Sequence, residues 1–97
     1  MITKPNGRET ISSLVASTGL TAAKITNTTV YALVQAIGGD VRFTLDGSTA
    51  PVAATTGHRL VEDSSIELWG HDEMKNFRAI NDGGTAQLEV TYNGAGG

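Results

Sequence analysis

His58 and His71 are the only imidazoles in the 97-residue chain, and His71-Asp72-Glu73 is the one place where a histidine and two carboxylates crowd together. A metal site needs three or four ligands converging on one point. A single polar run in a turn does not supply them, and this one is expected to face water. Serines accompany the histidines, but none carries glycines two residues to either side, as a nucleophile elbow would. Gly83-Gly84 and the glycines at 94, 96 and 97 lack both the spacing and the following helix of a phosphate cradle. They read instead as a hairpin turn and a soft chain end. Asn27-Thr28-Thr29 matches the glycosylation sequon, a short pattern that arises often by chance and that needs a secretory route to matter. Asp40, Asp46 and Asp82 each stand beside or next but one to a glycine, at separate turns and without the spacing of a calcium loop. With no cysteine, disulfides, thiolate metal sites and cysteine nucleophiles drop out together. The expectation is a protein that is not an enzyme and carries no cofactor and no metal.

The composition points the same way. A net charge of -3 with seven scattered Lys and Arg residues argues against a binder of phosphate backbones, which concentrates basic residues on one face. No apolar window reaches the length of a membrane span, and the first residues lack the apolar run of a secretory signal, so a chain made and used without export is expected. Apolar residues are 39% of the chain and charged ones only 18%, against about 25% in an average soluble domain. Twelve glycines with many Thr and Ser bias the chain toward strands and turns.

The elements that would position any site are organised around residues 29–47: an apolar strand, a Gly38-Gly39-Asp40 turn and a second strand ending at Asp46-Gly47. In the first strand Tyr31, Leu33 and Ile37, interrupted by Gln35, share one face, and Val30, Ala32, Val34 and Ala36 the other, so neither face is plainly polar. In the second, Val41, Phe43 and Leu45 alternate with Arg42, Thr44 and Asp46. A first strand over 10–16 precedes this hairpin, and an extended segment near 20–25, although Leu20, Ala23 and Lys24 would also fit one helical turn. A long turn-rich loop follows over 46–57. Short strands over 58–61, 65–69 and 74–80 come next, with the last strand, 85–92, opposing Ala86, Leu88, Val90 and Tyr92 to Gln87, Glu89 and Thr91. The pattern predicts an all-β, single-domain antiparallel β-sandwich, Ig-like or jelly-roll-like, over residues 10–92. Residues 1–9 are expected to be a flexible N-terminal arm and 93–97 a flexible tail. The expected core is Leu33, Ile37, Val41, Phe43, Leu45, Leu60, Ile66, Leu68, Phe77, Leu88 and Val90.

Four residues stand out as candidate interface positions. Trp69 falls on the outer face with Glu67 if Ile66 and Leu68 point inward, and tryptophan is enriched at binding hot spots. Its blander role is to fold over the neighbouring turn and cap the sandwich, and Tyr31 shares the ambiguity with more weight toward the core. Val30 and Val34 mark the second apolar face of the first long strand, and Ile2 would be the apolar anchor of an arm that orders on a neighbour.

Val41-Arg42-Phe43-Thr44-Leu45-Asp46-Gly47, Thr56-Gly57-His58, Ile66-Glu67-Leu68, Asn76-Phe77-Arg78-Ala79-Ile80 and Ala86-Gln87-Leu88-Glu89-Val90-Thr91-Tyr92 together resemble a family of small proteins encoded among the structural genes of tailed bacteriophages and prophages. The likeness covers roughly residues 20–92 and contains no catalytic signature. It implies a virion component made in the host cytoplasm: a capsid decoration or cement protein bound to the major capsid protein or other virion proteins, or otherwise a head-to-tail junction piece. Separately, a sandwich face left apolar would favour self-association into a homo-oligomer, for which the class of capsid decorators suggests a trimer, and the charge and hydropathy pattern leave no nucleic-acid or membrane partner expected. A shorter stretch, Phe43-Thr44-Leu45-Asp46-Gly47-Ser48-Thr49, is similar to accessory carbohydrate-binding β-sandwich modules, which use exposed aromatics as a platform for sugar rings.

Overall fold

The computed structural model describes residues 3–12, 14–53, 55–82 and 85–95. Along the chain come β1 (Thr3–Ile11), β2 (Thr18–Gly19), a 3-10 turn (Ala22–Lys24), β3 (Thr29–Ile37), β4 (Val41–Thr44), β5 (His58–Leu60) and β6 (Ser65–Trp69). A helix, α1 (Gly70–Asn76), then leads to β7 (Arg78–Asn81) and β8 (Gln87–Ala95). Every strand pairing is antiparallel, in two four-stranded sheets ordered β1-β8-β3-β6 and β2-β7-β4-β5. The fold is an all-β antiparallel sandwich.

Its topology is that of one long hairpin rolled up. Strand β1 pairs with β8, β2 with β7, β3 with β6 and β4 with β5, and rolling adds only the contacts β8 to β3 and β7 to β4. Of the two expected arrangements this is the jelly roll rather than the Ig-like sandwich. Each sheet turns one face inward. The β1-β8-β3-β6 sheet contributes Ala32, Val34, Ala36, Leu68, Leu88, Val90 and Tyr92, and the other sheet Val41, Phe43, Leu60 and Ala79, all buried. Phe43 stacks on Phe77 at 5.8 Å between ring centroids, within the spacing of favourable aromatic pairs. Leu45 and Ile66 pack against this core from partly buried positions.

Four expectations are corrected. Leu33 and Ile37 are not core: they are 39% and 38% exposed, because β3 turns Ala32, Val34 and Ala36 inward. Residues 70–76 form helix α1, whose Met74 is buried, so the strand expected over 74–80 begins only at Arg78. Asp72 and Glu73 lie in the first turn of α1 and Lys75 in the last, the arrangement that suits the helix dipole. Residues 22–24 take the helical-turn alternative rather than the extended one.

The fourth correction concerns the two ends. From Thr3 onward the expected arm is β1, an edge strand laid along β8, and β8 itself runs through the expected tail to Ala95, opposite Thr3. Pro5, with no N–H to donate, is tolerated because an edge strand has one unpaired side, and the register shift between Pro5 and Gly7 absorbs the turn-forming residues as a bulge. The strand expected over 10–16 therefore ends at Ile11, and Leu14 in the following loop is fully buried, its carbonyl accepting Asn81 N–H at 2.9 Å.

The inward-outward assignment of β3 has a direct test. Leu68→Ala should destabilise by about 2 to 5 kcal/mol, the range for a buried leucine that leaves a cavity, whereas Leu33→Ala should stay within about 0.5 kcal/mol of wild type. Urea unfolding of the two variants reads the difference directly, and the opposite ranking would mean that the strand faces the other way.

Candidate interaction surface

The outer face of the β1-β8-β3-β6 sheet collects the large side chains that the core leaves out. Cross-strand pairing sets Tyr31 opposite Trp69 and Asn93, Leu33 opposite Glu67 and Thr91, Gln35 opposite Ser65 and Glu89, and Ile37 opposite Gln87. Directly opposite residues in an antiparallel pair have Cβ atoms close enough to touch, and Tyr31 and Trp69 do so as a stacked pair, with centroids 4.4 Å apart and planes inclined at 22°. Trp69 is nonetheless 49% exposed. Its indole N–H donates to Glu67 Oε1 at 3.3 Å, and its backbone N–H donates to Glu73 Oε1 at 2.8 Å, fixing the residue at the junction of β6 and α1. At the far edge of the same face Arg8 pairs with Glu89 at 2.7 Å, and Thr10 donates to the same carboxylate at 2.6 Å. The result is an aromatic and aliphatic stripe along β3 with hydrogen-bonding groups on both flanks, the layout of a protein interface with an apolar centre and a polar rim.

The candidate positions separate on this geometry. Trp69 lies on the stripe. Val34 is fully buried between the sheets and is withdrawn as an interface residue; Val30 is half-buried; Ile2 lies outside the described residues. Tyr31, weighted toward the core in the sequence, is the aromatic companion that Trp69 lacks on its own strand. The readable signal was on the neighbouring strands, where Glu67, Glu89, Thr91 and Gln87 all fall on the face that Leu33 and Ile37 share.

The residues that could do chemistry are dispersed. His71 Nε2 lies 2.9 Å from the Thr29 carbonyl, Glu73 holds the Trp69 N–H, and His58 sits across the molecule on β5, its ring tilted against Phe43 at 5.5 Å. Among the described residues no three His, Asp or Glu side chains converge on a metal-sized point. An open cavity of about 570 Å³ lies beside His58, lined by Thr44, Leu45, Asp46, Thr49 and Gly57. Gly57 is required there: its φ is +113°, and a Cβ would stand 2.9 Å from the Phe43 carbonyl oxygen. Asp46 is committed to shaping the wall rather than to a ligand, since it accepts Ser48 N–H at 3.1 Å, Thr49 N–H at 2.8 Å and the Thr49 hydroxyl at 2.6 Å.

The Thr49 hydroxyl first, then the two N–H groups, lower the Asp46 carboxyl from the usual 3.8 to about 2. A carboxyl depressed in the folded state stabilises above its unfolded value and loses that contribution as pH falls through its folded value. The urea midpoint of Asp46→Asn should therefore fall below that of wild type above about pH 4 and rejoin it near pH 2. A constant gap across that window would show that the carboxylate charge is not what holds the loop.

No protein-family model, curated protein or solved structure matches this chain.

Proposed function

We propose that the chain is a non-enzymatic structural protein of a tailed-phage virion, a capsid decoration or cement protein that binds the outer surface of the major capsid protein lattice. The docking surface in this reading is the outer face of the β1-β8-β3-β6 sheet. The observation that carries it is the half-exposed Trp69 stacked on Tyr31, with Leu33 and Ile37 exposed along the same strand. A lone exposed leucine is ordinary, but an aligned aromatic pair and two large aliphatic side chains on one sheet face mark a surface awaiting a partner. The phage-family resemblance of residues 20–92 names the partner class. Self-association into a trimer on the lattice belongs to the same proposal, as does a virion location after synthesis in the host cytoplasm. A head-to-tail junction would use the same face on a different virion protein.

One observation favours a second reading, a carbohydrate-binding module: Trp69 does have an aromatic neighbour. The two rings lie face to face, however, so each covers one face of the other and no two coplanar rings sit side by side for a sugar chain. A flat protein surface suits the stripe better.

The test is co-sedimentation of purified protein with undecorated capsids, comparing wild type, Trp69→Ala and Leu33→Asp. Wild type should sediment with capsids, and Trp69→Ala should bind at least about tenfold more weakly, the scale of a truncated hot-spot residue, while unfolding at a similar urea concentration. If wild type stays in the supernatant and a glycan array instead gives binding that Trp69→Ala abolishes, the carbohydrate reading replaces this one.

A further inference from the structure

The four arginines of the chain are unequally used. Arg8 pairs with Glu89, Arg42 with Asp82 at 3.2 Å, and Arg59 with Asp40 at 2.5 Å and Asp82 at 3.5 Å. Arg78, the fourth and last arginine, has no ion pair or hydrogen bond to its guanidinium among the described residues. It opens β7, between Gly19 of β2 and Thr44 of β4, and borders a small cleft whose other walls are Ser17 and the loop residues Gly47, Ser48, Thr49 and Ala50. We propose that this cleft is a binding site for a small oxyanion, a carboxylate or phosphate group held by the Arg78 guanidinium.

Three features of the cleft support this assignment. Gly19 makes room for the guanidinium, since a Cβ there would stand 2.6 Å from Arg78 Nη1 and force the side chain away. The Asp46 carboxylate of the adjoining loop is turned onto Ser48 and Thr49, which fixes the loop, and it makes no ion pair with Arg78. The hydroxyls of Ser17 and Ser48 border the same space and have no partner among the described residues, so they are free to donate to an anion. The volume, about 120 Å³, is on the order of four waters. It admits a carboxylate or phosphate group. A planar guanidinium is the side chain best matched to such a group, because its paired N–H donors meet two oxygens at once. The ligand is either free phosphate or the Asp or Glu side chain of a docked protein, and the chemistry is shared. The site is on the sheet opposite the aromatic stripe, so it stands or falls apart from the proposed docking face.

The experiment is a titration of the whole ¹⁵N-labelled protein with inorganic phosphate and, separately, with acetate, at ionic strength matched by chloride. The Arg78 side-chain Nε–H and the backbone N–H signals of Ser17, Ser48 and Ala50 are followed. Saturable shifts at these positions with either anion are expected. Phosphate alone points to a free or esterified phosphate, and acetate at comparable strength points to a partner's carboxylate. Arg78→Gln should weaken binding at least about tenfold, the loss of a bidentate charge-assisted contact. Gly19→Ala, which keeps the charge but displaces the guanidinium, should weaken it as well, with Arg78→Lys between wild type and Arg78→Gln. Shifts that fail to saturate, that chloride reproduces, or that persist in Arg78→Gln would overturn the site. Since Arg78 is exposed and unpaired, Arg78→Gln should unfold at the wild-type urea concentration; should it not fold, Gly19→Ala and Arg78→Lys carry the decision.

Discussion

The register of β3 between β6 and β8 is the constraint on which the rest of the molecule depends. Taken alone, β3 has two apolar faces and no reason to prefer either. Its neighbours decide. On one face Ala32, Val34 and Ala36 meet Leu68, Ile66, Tyr92, Val90 and Leu88; on the other Leu33, Gln35 and Ile37 meet Glu67, Ser65, Thr91, Glu89 and Gln87. Turning the second face inward would bury two carboxylates and two amides without partners, which costs far more than two half-exposed aliphatic side chains. Small residues on β3 also fit the larger ones beside them, so the inner layer interdigitates without crowding. The stripe of Tyr31, Leu33 and Ile37 on the outside is thus the consequence of a choice made by β8.

What the sequence disclosed follows the same logic. The last strand was legible because its alternation is clean, as were Val41, Phe43, Leu60 and Phe77, and with them the sandwich. Strand β3 was misread because period-2 alternation identifies a buried face only where the other face is polar. Helix α1 is seven residues long, too short for a 3.6-residue period to show, and its one buried side chain, Met74, fitted a strand equally well. Strand β1 was hidden by Pro5, Asn6 and Gly7, local turn signals overridden by eight residue pairs with β8. For the surface, Trp69 was legible as an outward residue, but its partner was not, because the Tyr31 contact spans 38 residues of sequence and exists only once β3 and β6 are in register.

The two outer faces differ in kind. On the β2-β7-β4-β5 sheet, Arg42 and Arg59 stand directly opposite one another, an unfavourable pairing by itself. Asp82 receives both, Asp40 receives Arg59 and also accepts the Glu62 N–H at 2.8 Å, and Arg42 donates to the Gly57 carbonyl at 3.1 Å. The charges of Arg42 and Arg59 are spent on tying the ends of short strands together. On the other sheet β1, β3 and β8 are nine residues each, and the outer face carries the apolar stripe flanked by Glu67 and by the Arg8–Glu89 pair. A further tie joins the sheets at one edge: the inward carboxylate of Glu9 on β1 accepts the Tyr92 hydroxyl, the Thr21 hydroxyl at 2.6 Å and the Thr21 N–H at 3.2 Å. Partial burial opposes ionisation of Glu9, yet those hydrogen bonds, with Lys24 nearby, outweigh it and hold the carboxyl below its usual range; burial first and Glu9 second push the Tyr92 hydroxyl upward.

That tie bears on how an assembly could use the chain. An N-terminal arm that ordered only on contact would lose about 1 to 2 kcal/mol of backbone entropy for each residue fixed. Here the segment from Thr3 to Ile11 is already fixed, paired along β8 and pinned through Glu9, so its ordering belongs to folding and not to docking. The outer face inherits that rigidity. Tyr31 and Trp69 hold one another, and the Glu67 and Glu73 carboxylates hold Trp69 in turn, so few rotamers would remain to be lost if a partner covered them. A sheet face whose aromatics are immobilised in advance would lose little side-chain entropy on being covered, which is what the proposed docking role requires.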